Sequence, residues 1–133
     1  EAEVHGRIAA WEADKVILGY QAIVNPDKLE DDGLVGIIEI KLNPQRDTGF
    51  DAIAQRIYRF PEVKMCYLLS GGYDLLVFVE GSNLKDVARF VAEKLAPIDH
   101  VVSTTTHFIL KKYKEFGVIL AEQEAPERLA VSP

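Results

Sequence analysis

Residues 63–80 read VKMCYLLSGGYDLLVFVE. Two runs of aliphatic, aromatic and β-branched residues, 63–69 and 73–80, flank the sequence Ser70-Gly71-Gly72. Such runs predict strands, and glycines between them predict a hairpin turn, because glycine adopts positive φ angles without steric cost. This segment therefore predicts two antiparallel strands that are neighbours in one sheet.

Helical periodicity marks one segment on each side of this hairpin. Before it, Thr48 and Asp51 have the spacing of a helix N-terminus. After it, Ser82 or Asn83 can cap a second helix, which Pro97 closes. The apolar stripes are Phe50, Ile53, Ala54 and Ile57 in the first helix and Leu84, Val87, Ala88, Val91 and Leu95 in the second.

Two further strands, 34–42 and 101–110, complete a β-α-β-β-α-β order. This order predicts an α+β, ferredoxin-like fold, in which both helices cover one face of a four-stranded antiparallel sheet. The second face is also apolar, since Val35, Ile37, Leu76 and Phe78 fall on it. A solvated face normally alternates more cleanly with polar residues. We therefore expect a second subunit to cover it, so that the protein dimerises through the sheet.

The two ends of the chain lie outside this unit. Residues 2–13 have helical spacing, and residues 15–24 predict a long strand that ends at the turn signal Asn25-Pro26-Asp27. An acidic connector leads to residue 33, and residues 113–133 form a tail with one short apolar piece at 117–120. Because the chain starts without Met and inside a predicted helix, we expect a further segment upstream.

Composition excludes several classes of protein. The chain has 133 residues, with 21 acidic and 15 basic side chains, a formal net charge of -6 and one cysteine. The net charge argues against an autonomous DNA or RNA binder, and a lone cysteine excludes an internal disulfide. No apolar run approaches the ~18 residues of a membrane span, so a cytoplasmic protein without a membrane partner is expected.

The residues that could carry catalysis or bind metal are scattered. His5, His100, His107 and Cys66 show no metal-ligand spacing, and Ser70 is not part of a nucleophile elbow. The sequence therefore predicts no catalytic residue, no metal site, no cofactor and no enzyme.

A different set of groups suits a small ligand. Gly71 and Gly72 expose backbone N–H groups, Asp74 is a carboxylate beside an apolar strand, and period-two geometry places Thr104 and Thr106 on one strand face with Val102 and Phe108. A carboxylate could pair with an ammonium group, and the hydroxyl and N–H groups with a carboxylate, as in an amino acid. In the alternative interpretation the glycines only form the turn and Asp74 only caps the strand.

At this point the chain resembles the leucine-responsive regulator/AsnC family, the feast/famine transcription regulators. Two segments, PEVKMCYLLSGGYDLLVFVEGSNLKDVARFVAEKL and VVSTTTHFILKKYK, resemble its ligand-sensing domain. Residues 4–29, VHGRIAAWEADKVILGYQAIVNPDKL, are similar to the family segment V-x-x-R-I-x-x-L-E-x-x-G-V-I-x-G-Y. Trp11 stands where Leu is usual, and Lys15 where Gly is usual.

The resemblance implies a domain organisation. Residues 1–14 would be the end of a winged helix-turn-helix, which includes the recognition helix, and residues 15–33 the linker strand and connector. Residues 34–112 would form the sensing and oligomerisation domain, followed by the tail. DNA would be bound through the helix-turn-helix, most of which lies outside this sequence, with Arg7 and His5 as candidate contacts.

The resemblance also implies an effector site. The protein would form homodimers that assemble into octamers or other higher oligomers, with a small amino acid bound between dimers. The effector-binding residues would be Leu68, Gly71, Gly72, Tyr73, Asp74, Thr104 and Thr106.

Two alternatives stay open at this stage. One is a stand-alone domain that binds an amino acid or directs assembly and never contacts DNA. The other is a dimeric ferredoxin-like enzyme, such as a haem-precursor decarboxylase, for which His100 and His107 are the only candidates in the core region.

Overall fold

The computed structural model describes residues 1–29, 33–43 and 49–121. The chain divides into two compact units, one of residues 30–112 and one of residues 1–29 with 113–133. Three of the expectations above lie outside the described residues, namely the helix start at Thr48, the part of the connector at 30–32 and the tail from residue 122.

The helices and strands follow the predicted order. They are α1 (Ala2–Ala13), β1 (Leu34–Leu42), α2 (Gly49–Tyr58), β2 (Val63–Leu68), β3 (Leu75–Gly81), α3 (Leu84–Phe90), β4 (Val101–Phe108), β5 (Lys114–Glu115) and β6 (Val118–Ile119). A short 3-10 helix, Pro26–Lys28, forms the predicted turn, and the Asn25 side chain caps it. Among the described residues, no helix is long and apolar enough to cross a membrane.

The larger unit is built on one four-stranded sheet with the order β2-β3-β1-β4 and antiparallel pairing throughout. Strand β1 therefore lies in the interior of the sheet, between β3 and β4. This confirms the predicted α+β, ferredoxin-like fold.

The hydrophobic core lies between one sheet face and the two helices. Ile38 and Ile40 of β1 are fully buried, whereas Val35 and Ile37 on the other face are only half-buried. The core consists of Ile38, Ile40, Leu42, Ile53, Ile57, Leu75, Val77, Val79, Val87, Phe90, Val91, Leu95 and Ile98. We call the second face, which carries Val35, Ile37, Leu76 and Phe78, the open face.

Helix α3 approaches the sheet most closely at two glycines. A Cβ atom added to Gly36 would lie 2.7 Å from Cγ1 of Val87, and one added to Gly81 would lie 2.9 Å from Cγ2 of the same residue. Val87 is fully buried, so its side chain has little room to move. Glycine at these positions lets the helix pack against the sheet.

The second helix differs from the prediction in its last turns. It leaves α-helical geometry after Phe90 and continues as one π-helical turn, Val91–Leu95, in which the Ala96 N–H donates to the Val91 carbonyl at 2.8 Å. Within the α-helical part, Phe90 is buried three residues after Val87, whereas Leu84, which the predicted stripe included, is 55% exposed.

Both outer strands of the sheet carry a bulge. In β2, Val63 faces Val79 and Met65 faces Phe78, which leaves Lys64 unpaired in the register. In β4, the register with β1 shifts so that Val102 is the extra residue. Val102, which was predicted to share a face with Thr104, is 62% exposed at this irregularity.

The smaller unit departs from the prediction in one respect. Residues 15–24 form no strand, and Val16, Leu18 and Tyr20 within them are at least 69% exposed. A strand needs a hydrogen-bonded neighbour, and the described part of this chain provides none for residues 15–24. The apolar piece predicted at 117–120 contains β6, which pairs with β5 in a hairpin.

The contact between α3 and the sheet gives a stability prediction. We expect Gly36→Ala to lower the free energy of unfolding by about 1–3 kcal/mol, because the new methyl group overlaps Val87 in a packed core. The measurement is urea unfolding followed by circular dichroism. The double variant Gly36→Ala/Val87→Ala should lose less than the sum of the two single variants, and strict additivity would contradict this account.

Candidate functional site

The connection between β2 and β3 is longer than the predicted hairpin turn. Residues 69–74 form a loop whose ends meet where the Leu69 N–H donates to the Asp74 carbonyl at 2.8 Å. Tyr73 and Asp74, which were predicted to start the strand, lie in this loop instead.

Asp74 is held by two hydrogen bonds to β1. Its N–H donates to the Ile40 carbonyl at 3.0 Å, and its Oδ2 accepts the Leu42 N–H at 2.7 Å. The carboxylate accepts the Leu42 N–H in place of a backbone carbonyl group of β3. Oδ1 accepts no hydrogen bond from any described residue, so Asp74 both caps the strand end and keeps one oxygen available.

The two glycines of the loop have different roles. Gly71 has a φ of 135°, where side chains other than glycine are strained, and Gly72 has no positive φ. The Gly72 carbonyl accepts a hydrogen bond from Lys41 Nζ at 3.3 Å. Within the described chain, the N–H groups of these two glycines donate to no other residue.

Tyr73 lies near Glu39, which is a neighbour of Leu76 and Thr105 on the open face. Glu39 Oε2 accepts from Nε2 of His107 at 2.9 Å. Partial burial, followed by the negative charge of Glu39, raises the pKa of Tyr73 above its ordinary value.

The two predicted threonines lie on the core side of the sheet. Thr104 faces Ile40 and Thr106 faces Ile38 across the β1–β4 register, and both threonines are half-buried. Thr105 points to the other face, as predicted. Since β1 separates Thr104 from Asp74, the two residues are about two strand spacings apart, roughly 10 Å.

Leu68 ends β2 opposite Leu75 and is 59% exposed, beside the start of the loop. The structure therefore brings Leu68, Gly71, Gly72, Tyr73 and Asp74 together at one end of the sheet. Thr104 and Thr106 lie on the other side of β1 within the same chain. Arg7 and His5 are exposed on α1, in the smaller unit.

Two surface grooves lie away from this loop. They have volumes of about 490 and 370 Å³ and lie beside Gly81 and Ser82, at the opposite end of β3 from the 69–74 loop. Neither groove is lined by His100 or His107, the candidates of the enzyme alternative, and Arg89 lines the smaller one. In the described ranges, no three His, Cys, Asp or Glu side chains cluster in a way that could hold a metal ion. Burial raises the pKa of the Cys66 thiol and makes it less reactive.

Sequence reasoning missed Glu39 and Lys41. Both lie on the open face of β1, where Lys41 Nζ donates to the Gly72 carbonyl of the loop and Glu39 binds His107 of β4. The available signal was their alternation with apolar residues in Ile38-Glu39-Ile40-Lys41-Leu42. A charged residue in an interior strand needs a partner, and Gly72 and His107 provide one for each.

The bond between Asp74 and Leu42 gives a second prediction. Asp74→Ala should lower the free energy of unfolding by about 1–2 kcal/mol and speed amide hydrogen exchange at Leu42, because it leaves that N–H without an acceptor. Asp74→Asn keeps an acceptor oxygen and should lose less. Asp99→Ala, at an exposed aspartate, is the control. Unchanged exchange at Leu42 in Asp74→Ala would contradict the capping role.

The two loop glycines give a third prediction, in which the variant of Gly72 is the control for the variant of Gly71. Gly71→Ala should lower the free energy of unfolding by about 1 kcal/mol or more, because alanine is strained at this φ. Gly72→Ala should change stability little, since neither its φ nor a neighbouring atom opposes a side chain. Thermal unfolding of both variants is the measurement, and equal losses would show that backbone strain is not the cause.

Comparison with known proteins places this geometry in a family. Residues 35–119 match the family model described as the Lrp/AsnC ligand binding domain. Among curated proteins, the HTH-type transcriptional regulator YugG of Bacillus subtilis is 48% identical over 132 residues, which are 98% of this chain and 80% of YugG. The proline dehydrogenase transcriptional activator of Rhodobacter capsulatus is 30% identical over 114 residues, which cover 84% of this chain and 72% of that protein.

A solved structure has the same fold. Escherichia coli AsnC matches with a TM-score of 0.67 at 22% identity, over 86% of this chain and 74% of AsnC. The curated relatives are regulators and not enzymes, which confirms that the chain is no enzyme. The chain therefore belongs to the Lrp/AsnC family of transcriptional regulators, and residues 35–119 are its ligand-binding domain.

Proposed function

We propose that the chain senses a small amino acid, which binds at the 69–74 loop and changes how the regulator assembles. The observation that carries the proposal is the position of this loop. It lies within the segment that matches the ligand-binding domain, and it is fixed to an interior strand with polar groups still available. A loop held in this way loses little conformational freedom when a ligand binds, which favours affinity.

The available groups suit an amino acid. Oδ1 of Asp74 can accept a hydrogen bond from the ammonium group, and the N–H groups of Gly71 and Gly72 can donate to the carboxylate. The side chain of the ligand would then contact Leu68, which is exposed beside the loop.

The position of the threonines favours a site built from more than one chain. The ammonium and carboxylate groups of an amino acid are bonded to the same carbon atom, so groups roughly 10 Å apart cannot bind both of them closely. Within one chain Asp74 and Thr104 have about this separation, because β1 lies between them. A site at the contact between dimers, with Thr104 and Thr106 supplied by another chain, removes this difficulty.

Two exposed apolar surfaces support dimerisation. The open face carries Val35, Ile37, Leu76, Phe78 and Tyr67 around the polar pair of Glu39 and His107. Burying each large apolar side chain contributes about 1.5–3 kcal/mol, so several together can hold a stable dimer. Residues 15–24 have the composition of a strand but no strand partner among the described residues, and a second copy can supply one.

DNA binding is assigned to the N-terminal part. Residues 1–14, which contain helix α1, are proposed as the end of a helix-turn-helix, with residues 15–33 as linker, 34–112 as sensing domain and 113–133 as tail. Arg7 and His5 are exposed on α1 and are the candidate contacts to DNA. An amino acid that favours one arrangement of dimers, up to an octamer or other ring, would set the spacing of the DNA-binding modules.

The test is calorimetric titration of the assembled protein with the standard amino acids, together with sedimentation velocity. We expect one or a few amino acids to bind and to change the sedimentation coefficient. L-Methionine is tested first, because the structure of a transcriptional regulator of the same fold from Neisseria meningitidis has been solved in complex with L-Met.

Matched variants test the site itself. Asp74→Asn and Thr106→Val should each weaken binding about five- to tenfold, the effect of losing one hydrogen bond to a charged ligand. Thr105→Val, one residue away on the other face, and Asp99→Asn should bind as the wild type does. Absence of binding by every amino acid, with no change in sedimentation, would reject the proposal and favour a domain that only directs assembly.

A further inference from the structure

We propose that the Glu39–His107 pair lies inside the contact between two copies of this chain, and that it makes their association depend on the protonation of His107. The inference rests on the proposed dimerisation through the open face and deepens it. Neither residue is among those that the family resemblance assigns to the effector or to DNA.

The pair joins β1 to β4, the strand beside it in the sheet. Nε2 of His107 lies 2.9 Å from Oε2 of Glu39. In the strand register Glu39 faces Thr105. His107 faces Ile37, two residues further along β4, so the two side chains meet across a diagonal on the open face. Their side chains are 55% and 27% exposed, for His107 and Glu39 respectively, which leaves the pair accessible to another chain.

The pair lies within a largely apolar surface. The same face carries the apolar and aromatic side chains of Val35, Ile37, Met65, Tyr67, Leu76 and Phe78. The two helices pack on the other face, where the core lies. In a separate chain the pair contributes little to stability, because water screens charges that are partly exposed. Its charges become important when another surface covers them and removes that water.

The charges of the open face suit a second copy of the same chain. In a two-fold symmetric contact the same surface comes from both sides, so a face of one charge sign would repel its copy. This face carries two acidic side chains, Glu39 and Glu80, and two that are basic or can become so, Lys41 and His107. A surface with both signs can pair with itself, whereas a wholly apolar partner would offer the Glu39 carboxylate no further donor.

Covering the pair makes the charge of His107 matter. With a protonated imidazole the pair is neutral overall, and its two charges compensate each other away from water. With a neutral imidazole the Glu39 carboxylate enters the contact with an uncompensated charge, which is costly. Association therefore takes up protons at His107, and by linkage a low pH favours it. Because histidine titrates near neutral pH, this contribution is present below about pH 6 and is lost as the pH rises toward about 8.

The other titratable groups near the pair leave this pH range to His107. Among the described residues on the open face and beside it, they are Lys41 in β1, Lys64 and Tyr67 in β2, Glu80 in β3 and Tyr73 in the 69–74 loop. Strand β4 adds only the hydroxyl groups of Ser103 and Thr105 on this face. Lysine, tyrosine and glutamate ordinarily change charge outside the range between about pH 6 and about pH 8. A second copy brings the same set of groups.

The first measurement is the dissociation constant of the full chain at about pH 6 and at about pH 8. Sedimentation equilibrium with fluorescence detection gives this constant down to nanomolar concentrations. The wild type should associate about three- to tenfold more tightly at the lower pH. In Glu39→Gln the dependence should reverse, because protonated His107 then enters the contact without a carboxylate. The control is His100→Asn, since asparagine tolerates the positive φ of 75° at that position, and it should keep the wild-type dependence.

The second measurement is a double-variant cycle at the lower pH. Glu39→Leu and His107→Leu should each weaken association about tenfold or more, because each leaves one charged group in the contact without its partner. The double variant Glu39→Leu/His107→Leu should recover most of this loss, since two leucines suit an apolar contact. Glu93→Leu, an exposed position after α3 on the helical side of the sheet, should associate as the wild type does. Circular dichroism checks that each variant folds, and if a leucine variant does not, the pH dependence of Glu39→Gln decides.

The outcomes separate this inference from the proposed function. Wild-type association that tightens at low pH, together with the reversed dependence in Glu39→Gln and the recovery in the double leucine variant, supports the inference. Association that is equal at both pH values, or losses that simply add in the double variant, overturns the inference and leaves the proposed dimer standing. If the wild type sediments as a single chain at every concentration, the proposed dimer and the inference both fail.

Discussion

Burial of Ile38 and Ile40 beneath the two helices fixes the direction of every other side chain in β1. Each of these residues is fully buried, and such burial contributes about 1.5–3 kcal/mol per side chain. Because successive side chains of a strand point to opposite faces, Glu39 and Lys41 must then lie on the open face. The same strand pairs with β3 on one side and β4 on the other, so its alternation also sets which residues of those strands are buried. A register shift of one residue would bury Glu39 and Lys41 and expose both isoleucines.

This constraint explains why so much of the fold follows from sequence patterns. The period-two alternation in β1 and β3 and the helical stripe of α2 each reflect burial against a single core, so the order of elements could be read directly. The deviations occur where another interaction competes with the pattern. Helix α3 continues into a π-helical turn, and it buries Phe90, which the predicted stripe did not include, while its first residue, Leu84, stays exposed. Residues 15–24 have the pattern of a strand, but a strand also requires a hydrogen-bonded neighbour, which the pattern alone does not reveal.

The candidate site was predictable only in part, for a similar reason. Glycines next to an aspartate, between two apolar runs, predicted a turn at this place, although the loop extends further, to Tyr73 and Asp74. The partners of that loop come from β1, more than 30 residues earlier in the chain, as in the bond between Asp74 and Leu42. Local periodicity carries no information about such a distant contact. It therefore could not show that the Asp74 carboxylate accepts the Leu42 N–H, or that Lys41 binds the Gly72 carbonyl.

The bulges in the two outer strands have a consequence for how copies of this domain can associate. An outer strand with an even ladder presents a continuous row of backbone N–H and C=O groups to which a further strand can add. In β2 and β4 the extra residues Lys64 and Val102 interrupt that row and twist the strand locally. Lys64 also brings a charge, which resists close approach of another chain along that edge. Extension of the sheet edge to edge into a fibre is thus disfavoured.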